Sequence, residues 1–223
     1  MSTSAEGVGI GASPRTIREA LPVFVTHASP RILLGCLAVA IAARVAVGGL
    51  SLLDLLPLAG LALYWPVQEW LIHVFILHAK PKRIFGRTFD GRVPRKHRAH
   101  HREPWRLELL FIPLHSFVYS VPALVGLWWL VTPTAALALT GIAAHLALAL
   151  HYEWVHFLVH TRVQPRTAYY QRLWKNHRRH HFKNEHYWFG VTMLGGDRLL
   201  GTSPDLASVA TSNTARTLEL GAR

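Results

Sequence analysis

Long apolar stretches alternate along this chain with short, strongly basic ones. Read over a window of about nineteen residues, four stretches stand out: Ile32 to Leu50, Pro57 to His78, Leu107 to Val131 and Pro133 to His160. Each approaches the roughly 20 residues that carry a helix across a hydrocarbon core. Arg44 interrupts the first, which predicts a tilted helix, a guanidinium snorkelling to the far interface, or an ion pair with Glu69 inside the bilayer. Short links, Ser51 to Leu56 and Thr132 to Pro133, join the stretches pairwise. The pattern therefore predicts an all-α integral membrane protein with four transmembrane helices in two hairpins. Residues 1–26 hold no apolar core of signal-peptide type before Leu21 and read as a flexible tail. Residues 203–223, rich in Ser, Thr and Ala without periodicity, read as a second loose tail. The domain proper is then 27–202, and neither tail is expected to carry chemistry.

Charge orients the helices. The formal net charge is +12 although 51% of residues are apolar, so the two kinds must be segregated. A basic soluble nucleic-acid binder would not interleave its cations with bilayer-length apolar runs, and that class is excluded. Ten Lys or Arg lie between Lys80 and Arg106 and seven between Arg162 and Lys183, against none in the two short links. By the positive-inside rule both basic loops and both termini face the cytoplasm. Trp65, Trp70, Trp105, Trp128, Trp129 and Trp154 fall near helix ends, where an amphipathic ring suits either an interface or the core. Cys36 is the single cysteine and excludes an internal disulfide.

Ten of the fifteen histidines form four groups: His73 and His78 in HVFILH; His97, His100 and His101 in HRAHH; His156 and His160 in HFLVH; His177, His180 and His181 in HRRHH. Offsets of three and four share a helical face, so HFLVH and both HxxHH groups can present converging imidazoles. Offset five puts His73 and His78 about 140° apart on a regular helix, so either the helix end unwinds or the two rings reach different metals. All four groups fall at cytoplasmic helix ends or in the basic loops, which brings them to one membrane face as a helical cap. One HxxHH near a basic loop reads equally well as solvated histidine. Two, flanked by two further pairs, read as a metal site. Imidazole suits iron, zinc and copper, and ten ligands divide into two sites of about five, more than a structural zinc requires.

Glu69 precedes His73 by four residues and Glu153 precedes His156 by three, so each lies on its histidine's face. Both are candidates to accept the distal ring N–H and support the site, with direct ligation and, for Glu69, pairing with Arg44 as alternatives. His115, His145 and His151 lie within predicted helices and read as hydrogen-bonded interior residues. His27 looks incidental, and His186 is a possible extra ligand or a surface residue.

These residues resemble the fatty acid hydroxylase and sterol desaturase superfamily of membrane histidine-box oxygenases, and in box order and spacing look most like fatty acid 2-hydroxylases. The likeness runs from about Tyr64 to Thr202 through EWLIHVFILHAKP, NHRRHHF, WFGVT and GGDRLLGT. It implies ligand roles for the ten boxed histidines and a four-helix membrane part under a cytoplasmic cap. HHREP and HFLVHTR are also similar to carotenoid ring hydroxylases, which keeps substrate class open. No His-Pro-Gly-Gly segment of a cytochrome b type domain and no GxGxxG after a predicted strand is present, so a separate electron donor is expected, ferredoxin or cytochrome-type with its reductase.

An unactivated C–H bond does not yield to a side-chain acid or base, so the expected activity is hydroxylation of a lipid, an acyl chain first, by two iron ions and dioxygen. Zinc is an expected substitute on purification. The alternatives are a sterol-type desaturase or carotenoid hydroxylase and, from a different class, a membrane metal or haem carrier without catalysis.

Overall fold

The computed structural model describes residues 13–218. Four of its helical segments are long and apolar enough to cross a membrane: Ala28–Val47, Leu52–Leu77, Leu107–Val131 and Ala135–Val159. Their bounds follow the apolar stretches closely, because helices that must satisfy every backbone group internally are written by hydropathy. In chain order the helices are α1 (Ile17–Thr26), α2 (Ala28–Val47), α3 (Leu55–Leu71, continuing as a π-helix over Ile72–Leu77), α4 (Arg92–Arg102), α5 (Leu114–Val131), α6 (Ala135–Val159), α7 (Ala168–Phe182) and the short α8 (Gly195–Leu199).

Helix α6 is the centre of the bundle: α2, α3 and α5 each pack against it. The core between them gathers Leu33, Leu61, Trp65, Trp128, Ala138, Ile142 and Leu146. Close approach of α5 to α6 depends on Gly141, where a Cβ would stand 2.3 Å from the Trp128 ring. Arg44 neither snorkels nor meets Glu69. Its guanidinium takes Asp54 through Nη2 at 2.8 and 2.9 Å, and its Nε reaches Thr140 at 2.8 Å, so a bidentate pair clasps α2 to the start of α3.

Three expectations need correction. The fold is not wholly helical: Lys82–Ile84 and Arg87–Phe89 form an antiparallel hairpin in the first basic loop. Its Phe85–Gly86 turn has φ of 49° and 75°, the left-handed pair that a two-residue hairpin requires. Strands of three residues are too short to show alternation in sequence. Next, the expected 1–26 tail contains α1. Thr16 caps it by accepting from Glu19 N, and Ala20 and Phe24 enter a core with Phe111 and Phe157. Residues 1–12 of that tail lie outside the described residues.

Finally, residues 203–218 are tied down. Ser212 N donates to the Lys183 carbonyl at 2.8 Å, Thr214 Oγ1 to Glu185 Oε1 at 2.5 Å, and Val209, Ala215 and Leu218 are buried. An irregular strap held by hydrogen bonds to its neighbours has no period to read. The last residues, 219–223, are outside the described residues.

Candidate metal centre

The ten boxed histidines come together at the ends of α3 and α6 and along α4 and α7. They form two groups of five: His73, His78, His97, His101 and His180; and His100, His156, His160, His177 and His181. Within each group the ligand nitrogens all lie within 4.8 Å of one another. A first-row metal–imidazole bond of about 2.1 Å would put opposed nitrogens roughly 4.2 Å apart, so each group has the dimensions of a single coordination sphere. The groups abut, with the rings of His101 and His181 stacked at 4.1 Å.

HVFILH delivers both its histidines to the first group because the helix changes pitch beneath it. Over Ile72–Leu77 it is a π-helix, and His78 N donates to the His73 carbonyl at 3.0 Å, a bond spanning five residues. Such a turn brings positions five apart onto one face. The HxxHH boxes do the opposite and split. His97 and His101, one α-turn apart, go to the first group and His100 to the second. His177 and His181 go to the second and His180 to the first. Helices α4 and α7 thereby each serve both groups.

Tautomers follow from the backbone. His73 Nδ1 donates to the Phe189 carbonyl at 2.6 Å, His180 Nδ1 to Tyr187 O at 2.8 Å, His101 Nδ1 to Ala215 O at 2.8 Å and His156 Nδ1 to Leu110 O at 3.2 Å. A carbonyl can only accept, so these four rings carry their proton on Nδ1 and turn an Nε2 lone pair inward. The inward Nε2 atoms of His73, His97, His101 and His156 are buried without a hydrogen-bond partner. Elsewhere Nε2 faces Nε2: His78 with His180 at 3.1 Å, His160 with His177 at 2.9 Å, and His181 with both His100 and His177 at 3.1 Å. Buried orphan acceptors cost free energy, and each facing Nε2 pair needs either a proton on one nitrogen or a cation between the two; a shared metal ion satisfies both kinds of site. The donor set therefore fits one imidazole-bound metal ion per group. Burial holds His78, His97, His100, His160, His177, His180 and His181 well below the usual imidazole value and His101 down to about 3, which keeps them in the neutral, ligating form.

The glutamates act at one remove. Among the described residues, neither Glu69 nor Glu153 accepts a ring N–H. Glu69 accepts from the backbone N–H groups of Val191, Thr192 and Met193 at 2.7, 2.7 and 3.1 Å, and thereby anchors the segment whose Phe189 carbonyl holds His73. Glu153 accepts from Ile112 N at 2.7 Å and Ser29 Oγ at 2.5 Å, anchoring the segment whose Leu110 carbonyl holds His156. Each carboxylate, one turn before its histidine, instead holds a neighbouring segment of the same chain, and that segment supplies the acceptor for the ring.

Sequence reasoning missed two further positioning residues. Asp197 accepts from Phe189 N and Gly190 N at 2.9 and 2.8 Å, and Asn176 Nδ2 donates to Trp188 O and Gly190 O at 3.1 and 2.8 Å. Between them Trp188 takes a left-handed φ of 58°, which aims the carbonyls on either side at His180 and His73. The signal was present in NHRRHHF for Asn176 and in GGDRLLGT for Asp197 but carried no chemistry of its own. Gly196 of that second motif lets α8 meet α3, since a Cβ there would lie 2.2 Å from the Pro66 carbonyl oxygen.

The remaining histidines stay outside both groups. His145 Nε2 lies 2.9 Å from Gln68 Nε2, His151 Nε2 is 3.1 Å from the Tyr169 hydroxyl, and His27 stacks on Phe111. His186 stands 3.7 Å from Glu185.

The family described as Fatty acid hydroxylase matches residues 58–202, a span that holds all ten boxed histidines. The chain belongs to the fatty acid hydroxylase family. Among its relatives, dihydroceramide fatty acyl 2-hydroxylase FAH1 of Arabidopsis thaliana is 30% identical over 186 residues, 82% of this chain and 70% of that protein. FAH2 of the same plant is 30% identical over 149 residues, 66% of this chain and 60% of its own length, so the likeness to it stops short of two thirds of that relative. Among solved structures, full-length scs7p, in which only the hydroxylase domain is visible, superposes with a TM-score of 0.63 at 20% identity, covering 90% of this chain and 71% of that one. That likeness shows a shared fold over most of the chain.

Proposed function

We propose that this fatty acid hydroxylase family member is a membrane-bound dimetal oxygenase that hydroxylates a C–H bond of a lipid acyl chain. The observation that carries the reading is a cavity of about 540 Å³ walled by apolar residues of α3, α5 and α6, among them Leu71, Ile72, Phe117, Leu124 and Leu146. It reaches His97 of the first group and His156 of the second, so one apolar chain can lie against both groups at once. The names of the relatives, fatty acyl 2-hydroxylases, support the same substrate class.

The ten histidines would hold two irons, with zinc as a substitute on purification, and the metals would supply from dioxygen the oxidising power that no side chain has. The chain's own residues do the rest. The carbonyls of Phe189, Tyr187, Ala215 and Leu110 fix the ring orientations. The apolar walls exclude water and hold the alkyl chain in a fixed path. Lys96, beside His97 on the cavity wall, donates from Nζ to the Phe111 carbonyl at 2.7 Å and stands where a substrate's polar end would meet it. This position of Lys96 supports oxidation of a carbon near the headgroup end. Electrons would come from a separate ferredoxin or cytochrome-type donor. The histidine face and both termini would lie on the cytoplasmic side, beneath a four-helix membrane part of two hairpins, as the basic loops indicate.

The test is turnover of the reconstituted protein with a ferredoxin reducing system under isotopically labelled dioxygen. The expected product is an acyl lipid heavier by one labelled oxygen. Oxygen derived from water, or full activity after His100→Ala or His180→Ala, would overturn the reading, and an unsaturated, unlabelled product would move it to desaturation.

A further inference from the structure

A second pocket, also of about 540 Å³, opens just beyond the end of α6, away from the apolar cavity. It is lined by Arg15, Arg162 and Arg178 together with Trp105, Trp174 and Ser13. Arg178 is held in place by rings: its guanidinium lies 5.3 Å from the Trp105 centroid, 4.5 Å from Trp174 and 5.3 Å from Phe182. Among the described residues, neither Arg162 nor Arg178 has a carboxylate within ion-pair distance. Ser13 Oγ is buried and has no hydrogen-bond partner among the described residues. Arg15 has Glu19 nearby, its backbone N–H donating to Glu19 Oε2 at 2.9 Å, but Arg162 and Arg178 face the concavity with no carboxylate of the described residues paired to them. Guanidinium forks match phosphate oxygens in geometry as well as charge.

The neighbouring helix says what kind of phosphate. α1 begins two residues after Arg15, and the Pro14 carbonyl accepts from Arg162 N at 2.9 Å, so the helix start is fixed to the pocket. One side of α1 buries Ala20 and Phe24 in the protein, whereas Ile17, Leu21 and Val25, spaced one turn apart, are 50, 52 and 37% exposed. An exposed apolar stripe on a short amphipathic helix beside a membrane span is a surface for acyl chains. The pocket meanwhile follows directly on the end of the α6 span at Val159, the level at which lipid phosphates lie.

We propose that this pocket binds the phosphate of an anionic phospholipid whose acyl chains lie along the Ile17–Leu21–Val25 stripe. The bound lipid sits one ring from the histidines, since Trp105 also contacts His160 at 6.2 Å between centroids. The site does not rest on the hydroxylase reading, because it involves neither the apolar cavity nor a turnover step.

The full chain in nanodiscs of phosphatidylcholine with a minor fraction of phosphatidic acid, released into native mass spectrometry, tests this directly. The expected result is retained phosphatidic acid enriched over phosphatidylcholine roughly tenfold, the scale of one or two charge-assisted hydrogen bonds. Arg162→Gln with Arg178→Gln should abolish the enrichment, and Arg83→Gln, on the distant hairpin, should retain it. Arg15→Gln with Arg162→Gln keeps the test decisive if the change at Arg178 disturbs folding, since both side chains are exposed. Inorganic phosphate that displaces the lipid at equal concentration would assign the pocket to free phosphate; failure to displace it assigns the lipid headgroup. Equal enrichment in every variant, or equal loss with Arg83→Gln, would show diffuse charge attraction and overturn the proposal.

Discussion

The Nδ1–H of His101, on α4, donates to the carbonyl of Ala215 at 2.8 Å, more than a hundred positions further along the chain. Arg216 reinforces the contact by donating from Nε to the His101 carbonyl at 2.7 Å and from Nη2 to that of Arg102. The C-terminal strap is thus part of the first histidine group's support. Truncation after Asp205 should lower bound metal about ten- to a hundredfold at limiting metal, the usual cost of losing a supporting partner. Inductively coupled plasma analysis of purified protein measures this, and unchanged metal content would remove the strap from the site.

Glu69 satisfies three backbone N–H groups and the Thr192 hydroxyl in a buried setting. Glu69→Leu keeps comparable bulk and strands all four donors. It should destabilise the fold by roughly 1–3 kcal/mol for each donor left unsatisfied and loosen His73 through Phe189. Thermal melting gives the first effect and metal content the second. A variant with wild-type values for both would return Glu69 to a passive role.

The partition into two groups predicts unequal responses to neighbouring histidines. His101→Ala should release chiefly the metal of the first group and His100→Ala that of the second, although the two are adjacent in sequence, and His27→Ala should release neither. Spectroscopy on protein loaded with a paramagnetic metal distinguishes one remaining centre from two. Identical spectra from the His100 and His101 variants would contradict the partition.

Ala149 lines the apolar cavity on α6, one turn from His145 and two from His156. Ala149→Phe should narrow the acyl path and cut turnover of long chains by at least an order of magnitude, while metal content stays at the wild-type level. Shorter chains should suffer less. An unaltered chain-length profile would place the substrate elsewhere.

If the basic loops face the cytoplasm, a cysteine placed at Leu52 or Thr132 in a Cys36→Ser background should react with an impermeant reagent added outside intact cells. A cysteine at Arg83 should react only after the cells are opened. The reverse pattern would invert the protein in its membrane.

The sequence by itself determined the four spans, the boxed histidines and the family, and each for a physical reason. A bilayer forces backbone bonds inside each helix, so span position is written in local hydropathy. Ligand chemistry needs particular side chains, so the histidines stand out one by one. Only the tertiary structure decided which histidine joins which group, because that depends on how α4 and α7 are brought to the ends of α3 and α6 and on the π-turn at Ile72–Leu77. Only it revealed that the ring N–H groups of His73, His101, His156 and His180 go to main-chain carbonyls rather than to Glu69 and Glu153. Every residue carries a carbonyl, so an acceptor of that kind leaves no mark in the sequence. It becomes specific only when distant segments, such as the strap at Ala215 and the turn at Trp188, are folded against the rings they hold.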